Sequence, residues 1–131
     1  MISLILSGKI CPYCGQNSEL IDSSKIYNGQ SYGMVYACLP CDAYVGARLT
    51  GNGAYRSLGR LAQAKLRNLK RQVHSLFDPI WKEGRMSRDK AYLQLAKKMN
   101  IQREFCHVGM FDETQCEQAL QIIGRWVEKL L

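Results

Sequence analysis

Four cysteines, arranged as two Cys-x-x-Cys pairs, offer the clearest chemistry in this sequence. The first pair is Cys11 and Cys14, and the second is Cys38 and Cys41. Each pair places two thiolates at one tight turn, and two such turns facing each other supply four sulfur ligands to a tetrahedral ion. Protein ligands would then fill every coordination position, which leaves none for a catalytic water. The spacing therefore predicts one structural zinc ion.

Two other uses of these cysteines are weighed against zinc. Disulfides belong to oxidising compartments, and a redox dithiol needs a βαβ context that is not visible here. The apolar run at residues 2–6 is too short for the core of a signal peptide, and no other stretch of the 131 residues is apolar over a bilayer-spanning length. We therefore expect a cytoplasmic protein without a membrane partner, whose thiols stay reduced and available to metal.

Short strands are expected around the two cysteine turns. The alternating segments 19–22, 34–37 and 43–47 are typical of strands. Between the first two of them, Asn28-Gly29 is the preferred sequence for a two-residue hairpin turn. Such a unit is too small to fold on an apolar core alone, so the ion would substitute for the missing core. The sequence thus predicts a four-cysteine zinc ribbon over residues 1–52.

Most of the tyrosines fall in the same region. The six that precede residue 56 are Tyr13, Tyr27, Tyr32, Tyr36, Tyr44 and Tyr55. Exposed tyrosines on a small sheet can stack nucleic-acid bases, but tyrosine also favours strands and shields a thin sheet. We favour the packing interpretation.

The rest of the chain, residues 53–131, has helical periodicity. Apolar residues recur every three to four positions from Ser57, a plausible N-cap, to a break at Asp78-Pro79. A second helix is expected over 88–99, capped by Ser87, and a last one over 113–130. The last helix follows Asp112-x-x-Gln115, which resembles a capping box. We expect a bundle of three to four helices.

The net charge of +7 lies entirely in the helical part. Residues 1–55 contain three basic and three acidic side chains, whereas residues 56–131 contain fifteen basic and eight acidic ones. No acid occurs between residues 56 and 77. The polar residues that fall within about a third of the predicted helix circumference are Arg56, Arg60, Gln63, Arg67, Lys70, Arg71 and His74. An outer polar face paired with acids elsewhere would look similar. We expect contact with nucleic-acid phosphates through Arg56, Arg60, Arg67, Lys70 and Arg71.

Two further groupings of reactive residues are considered. A metal-dependent nuclease would need His74, Asp78, His107 and Asp112, yet no recognised nuclease motif orders these groups. A second metal site would need Cys106, His107 and Cys116, with His74 as a further ligand. Cys106 and His107 are adjacent, however, and Cys116 lies on the apolar stripe of a predicted helix. Since neither a phosphate-binding glycine loop nor a serine-centred elbow is present, we expect no catalytic activity.

Several sequence strings together resemble a known family. They are Cys11-Pro-Tyr-Cys-Gly15, Cys38-Leu-Pro-Cys-Asp-Ala-Tyr-Val-Gly46, Leu58-Gly-Arg-Leu-Ala62, His74-Ser-Leu-Phe-Asp-Pro-Ile-Trp81, Met86-Ser-Arg-Asp-Lys-Ala-Tyr92 and Cys106-His-Val-Gly-Met-Phe-Asp112. This combination is similar to the small zinc-finger-containing domain family of unknown function found in bacterial, prophage and phage genomes. The resemblance runs from about Cys11 to Ile123. It implies zinc at the four cysteines and an origin in a phage or another mobile element.

These observations predict an α+β protein in which an N-terminal zinc ribbon packs on a C-terminal helical bundle. The leading hypothesis is non-catalytic nucleic-acid binding through the basic helix face. The alternative is a protein-interaction module, an adaptor or inhibitor that docks on an acidic host protein, since a basic face suits such a partner equally well. The minority alternative is the nuclease.

Overall fold

The computed structural model describes residues 2–130. The chain divides into two compact units, the first ending at Ala64 and the second beginning at Lys65. The sequence placed the division earlier, after Asn52. The difference arises because a strand that starts at Tyr55 pairs with the preceding strand, which keeps the segment after Asn52 within the first unit.

The first unit contains a short helix and a four-stranded antiparallel sheet. In chain order, its elements are α1 (Ile2–Leu6), β1 (Glu19–Asp22), β2 (Met34–Cys38), β3 (Ala43–Leu49) and β4 (Tyr55–Ser57). Each strand pairs with its neighbours in sequence, in the order β1-β2-β3-β4. The three predicted strands are confirmed, and β4 is an addition that the sequence periodicity assigned to a helix.

The connection between β1 and β2 is longer than predicted. The Asp22 carboxylate accepts a hydrogen bond from the Ser24 backbone N–H at 2.9 Å and opens a 3₁₀ turn directly after β1. Asn28 and Gly29 do take positive φ values of 54° and 90°. They lie, however, within an eleven-residue loop, residues 23–33, because the strands close on the Asp22 and Met34 pair and not beside Asn28. The two-residue hairpin prediction is therefore wrong.

The two faces of the sheet pack against different parts of the unit. Side chains alternate between faces along each strand. One face buries Ile21, Val35 and Ala37, against which Ile26 and Tyr44 pack. The opposite face carries the cysteine cluster, with a small core formed by Cys11, Cys38, Ala43 and Leu61. The sheet therefore separates the cysteines from the surface around Tyr44.

The second unit is helical. Its helices are α2 (Ala64–Lys82), α3 (Arg88–Met99) and α4 (Glu113–Leu130), with 3₁₀ turns at Arg103–Phe105 and Val108–Met110. Phe77 lies at the centre of the core, with its ring centroid 4.7 Å from that of Tyr92 and 6.4 Å from that of Trp126. An antiparallel sheet followed by this helical unit confirms the predicted α+β class.

The first long helix departs from prediction at both ends. Ser57 lies in β4 and does not cap a helix, since its hydroxyl donates to the Ser7 and Gly59 carbonyls. The helix begins at Ala64 and continues through Pro79 to Lys82. A proline inside a helix removes one backbone hydrogen bond. Here the last turn is retained because Ile80 is buried beside the rest of the core, which offsets that loss.

The other two helices confirm their predicted bounds and caps. The Ser87 hydroxyl accepts from the Lys90 N–H at 3.1 Å. At the start of α4, the Asp112 carboxylate accepts from the Gln115 N–H at 2.8 Å, and the Gln115 side chain accepts from the Asp112 N–H at 3.0 Å. This reciprocal pair is a capping box. Among residues 2–130, none of the helices combines the length and apolarity that crossing a bilayer requires.

Candidate metal centre

The four sulfur atoms of Cys11, Cys14, Cys38 and Cys41 lie together. All four Sγ atoms are within 4.8 Å of one another. The Sγ atoms of Cys14 and Cys38, one from each pair, are 3.7 Å apart. In a zinc tetrahedron with Zn–S bonds of about 2.3 Å, neighbouring sulfurs are about 3.8 Å apart. The thiol cluster therefore fits a zinc ion of this coordination and is a candidate zinc site.

The first cysteine pair lies in a tight turn between residues that pair across it. Ile10 and Asn17 form an antiparallel bridge. Inside it, the Cys11 N–H donates to the Gln16 carbonyl and the Gly15 N–H donates to the Cys11 carbonyl, both at 2.9 Å. Gly15 has φ of 78°, the left-handed conformation expected as a chain leaves such a turn. This turn aims both thiols toward the same point.

The second pair occupies the β2 to β3 hairpin. Cys38 is the last residue of β2 and pairs with Ala43, the first residue of β3. The Asp42 N–H donates to the Leu39 carbonyl at 3.1 Å, and Asp42 takes φ of 53°. Aspartate is one of the few residues other than glycine that enters this region readily. Asp42 was not singled out from the sequence, although its place after a Cys-x-x-Cys turn matches that of Gly15.

The four thiols have unequal environments. Cys11 and Cys38 are buried, Cys41 is half-buried and Cys14 is exposed. The hydrogen bond from the Gln16 backbone lowers the pKa of Cys14, whereas burial raises that of Cys38. The neighbouring thiols raise the pKa of Cys41 to about 12. Clustered thiols cannot all ionise without a cation to balance their charge. A divalent ion would remove this conflict.

A segment that the sequence periodicity placed in a helix supports the cluster. Leu61 is fully buried against the cysteines. Ala62 and Tyr44 exchange two backbone hydrogen bonds, at 3.0 and 3.1 Å. The Gln63 side chain then donates to the Cys41 carbonyl at 3.0 Å, and its backbone N–H donates to the Tyr13 hydroxyl at 3.1 Å. Gly59, a poor helix former just ahead of this segment, was the available signal for a non-helical chain.

The other proposed reactive groups do not converge on a metal. His74 Nδ1 lies 3.1 Å from both Asp78 carboxylate oxygens. His107 lies instead beside the Tyr92 ring and within 3.5 Å of an Arg103 nitrogen. Within residues 2–130, the four-cysteine cluster is the only set of three or more potential ligands close enough to hold an ion. Neither the four nuclease candidates nor the second cysteine and histidine set thus forms a cluster that could hold an ion within residues 2–130.

The five predicted phosphate contacts are divided between the units. Arg56 lies on β4 and Arg60 follows it, because residues 55–57 are a strand and not a helix. Arg67, Lys70 and Arg71 lie on α2. Arg71 is exposed, whereas the Lys70 ammonium donates to the Gly109 carbonyl at 2.9 Å. The prediction that all five share one helix face is therefore wrong.

Short antiparallel strands around a four-cysteine cluster define a zinc-finger-type domain. Residues 7–126 match the DUF3268 family, described as a zinc-finger-containing domain. The match spans most of the chain, and the chain belongs to this family. No curated protein and no solved structure matches it.

Proposed function

We propose that this protein is a non-catalytic nucleic-acid-binding protein whose first unit is held together by one zinc ion at Cys11, Cys14, Cys38 and Cys41. The zinc assignment is carried by the 3.7 Å separation of the Cys14 and Cys38 sulfurs, the edge length of a zinc tetrahedron. Thiolate ligands at all four corners make the ion structural. Its binding then contributes directly to the folding of the unit around it.

The nucleic-acid assignment is carried by the charge of α2. This helix contains five basic residues, Asp78 is its only acid, and its first turn contains no acid. A helix N-terminus has partial positive charge, so cations in its first turns disfavour the helix. Lys65 is balanced in part by Glu113 at 3.4 Å, in an exposed pair. An anionic partner that contacts α2 would explain why basic residues occupy its first turns.

The expected mode of binding is contact with phosphates. The arginines of α2 would neutralise phosphates without reading base edges, so affinity should fall steeply with added salt and depend little on sequence. The second unit as a whole supports this mode, because it contains thirteen basic and eight acidic side chains. Association would be steered by that net charge.

Charge reversal at Arg67 and Arg71, which we call the α2 surface, tests this proposal. The variant Arg67→Glu/Arg71→Glu should lose retention on DNA or RNA at moderate salt. The matched control Lys90→Glu/Arg125→Glu makes the same change in net charge at exposed positions on α3 and α4 and should retain binding. Circular dichroism and zinc content establish that both variants fold. If both variants bind nucleic acid equally well, phosphate contact through the α2 surface is refuted. If both lose binding equally, net charge alone drives binding.

An acidic protein is the alternative partner for the same cations. Capture of partners before and after nuclease treatment separates the two, because a partner that survives nuclease is held by protein contacts. A catalytic role would instead require cleavage that depends on a divalent ion and disappears in His74→Ala. We expect no such cleavage, because within residues 2–130 His107 and Asp112 do not join His74 and Asp78 in a cluster that could hold an ion.

A further inference from the structure

The sheet face opposite the cysteine cluster carries two arginines in direct register. Arg48 on β3 pairs with Arg56 on β4, and both side chains are exposed. Since residues two apart on a strand share a face, Arg48 lies on the same face as Gly46 and Tyr44. The arginine pair and Tyr44 are therefore about 13 Å apart along one sheet surface.

Three tyrosines cluster at the other end of this face. The Tyr27 ring meets Tyr32 edge-to-face at 5.2 Å and Tyr44 edge-to-face at 5.9 Å. The Tyr27 and Tyr44 hydroxyls are 3.1 Å apart, which holds these two rings in place. Tyr32 is nevertheless 68% exposed and Tyr27 40% exposed. Packing accounts for Tyr44, but it leaves much of the Tyr32 ring open to solvent.

Leu58 connects the tyrosines to the arginines. A Cβ atom added to Gly46 would lie 3.2 Å from a Leu58 methyl carbon, so the leucine side chain covers the space left by the glycine. Leu58 itself is 53% exposed. A continuous surface of aromatic, aliphatic and cationic groups results. We call it the aromatic-cationic strip; it consists of Tyr27, Tyr32, Tyr44, Leu58, Arg48 and Arg56.

The charges of the strip lack a counterion. Like charges directly opposite each other on neighbouring strands disfavour the pairing. Within residues 2–130, neither Arg48 nor Arg56 has an ion-pair or hydrogen-bond partner for its guanidinium. Glu19 shares this face but lies on β1, two strands from Tyr44 and away from the arginine pair. A phosphate bridging the two guanidinium groups would supply the missing negative charge.

We propose that the aromatic-cationic strip binds single-stranded nucleic acid. Unpaired bases would stack on the exposed Tyr32 ring and on Tyr27, while the phosphate backbone reaches Arg48 and Arg56. Stacking on aromatic side chains beside a basic track is the general means by which proteins hold single strands. A duplex fits poorly, because its bases are already stacked and paired. This site lies in the first unit and does not depend on the α2 surface.

Fluorescence anisotropy on the intact chain tests the strip, with labelled oligothymidylate of about 16 nucleotides as the probe. Tyr32→Ala should weaken binding on the order of tenfold, whereas Tyr32→Phe keeps the ring and should bind as the parent does. Arg48→Gln/Arg56→Gln should reduce the slope of log affinity against log salt by about 0.7, from the one phosphate that the two arginines bridge. Lys9→Gln/Lys90→Gln removes equal charge from residues outside the strip and should leave the slope unchanged.

Unchanged binding by Tyr32→Ala, or an unchanged salt slope in the arginine variant, would overturn the proposal. Adding oligothymidylate to the parent protein and recording the NMR chemical shifts of its backbone amides tests the strip without any variant. Shifts at Tyr32, Arg48 and Arg56 support the strip, whereas shifts confined to α2 refute it. Duplex DNA binding as tightly as the single strand, or polyglutamate matching oligothymidylate, would also refute it, because charge alone would then explain the affinity.

The outcomes separate this site from the α2 surface. If Arg67→Glu/Arg71→Glu loses oligothymidylate while Tyr32→Ala retains it, the strip fails and the α2 proposal stands. The reverse result supports the strip and removes α2 from single-strand binding. Oligouridylate compared with oligodeoxyuridylate, which has the same base, identifies the preferred sugar, and tighter binding of either one over duplex supports the strip.

Discussion

Cys14 Sγ lies 3.7 Å from Cys38 Sγ, although the two residues are 24 positions apart in sequence. The two cysteine turns are therefore in contact. One turn precedes the sheet, and the other is the β2 to β3 hairpin. The buried clusters described on the two faces of the sheet are both small. A metal bond between the turns would therefore contribute much of the stability of this unit.

Loss of one zinc ligand should unfold the first unit selectively. We expect Cys38→Ser to lose zinc and the protection of its sheet amides against hydrogen exchange, while α3 and α4 keep theirs because the second unit has its own core. Cys116→Ala removes a thiol outside the cluster and should keep its zinc. Retained sheet protection in metal-free Cys38→Ser would show that the sheet folds without metal.

Zinc affinity should rise with pH. In the folded arrangement without an ion, burial raises the pKa of Cys38 and the neighbouring thiols raise that of Cys41 to about 12. A thiol in an unfolded chain has a pKa of about 8.5, so both cysteines are protonated at neutral pH whether or not the metal-free unit is folded. Binding must release at least these two protons, so each decrease of one pH unit should weaken binding by a factor of about 100 or more. Calorimetry in buffers of different ionisation enthalpy measures the release. A release of no protons would contradict the pKa directions found for this cluster.

The cysteines should differ in reactivity once zinc is removed. The first unit loses its fold with the ion, so its four cluster thiols become accessible and should alkylate first. Cys106 is fully buried, and burial raises its pKa to about 11. It should react only on unfolding. Timed alkylation with peptide mass mapping gives the order, and early modification of Cys106 would contradict the described core.

Gly8 should not tolerate a side chain. It has φ of 76°, and an added Cβ would lie 2.7 Å from the Ser57 Cβ and 2.8 Å from the Gly59 carbonyl. We expect Gly8→Ala to lower the free energy of unfolding by about 2 kcal/mol or more. Gly51→Ala is the control, since a Cβ there meets nothing within 4 Å. Equal denaturation midpoints for the two variants would argue against the contact between Gly8 and β4.

Denaturation experiments should also measure the contribution of the α4 capping box to stability. Asp112→Ala removes the acceptor for the Gln115 N–H and should cost about 1 kcal/mol of stability. Thr114→Ala changes an exposed residue in the same first turn and should have little effect. If Asp112→Ala left the free energy of unfolding unchanged, the capping box would contribute nothing to the stability of this helix.

The parts of the fold that local sequence determines were predictable. The spacing of the cysteines located the metal cluster, and Ser87 and Asp112 marked two helix starts through contacts within three residues. The start of α2 was missed because Arg56 and its neighbours pair with a strand eight residues earlier, which helical periodicity does not reveal. Its end was missed because tertiary packing of Ile80 overrides the usual effect of Pro79.

The metal content of the purified protein tests the central claim most directly. Native mass spectrometry of protein produced without added metal should show one zinc ion per chain, and the double variant Cys14→Ser/Cys38→Ser should show none. A parent protein that carries no metal, or a double cysteine variant that keeps its zinc, would contradict the account.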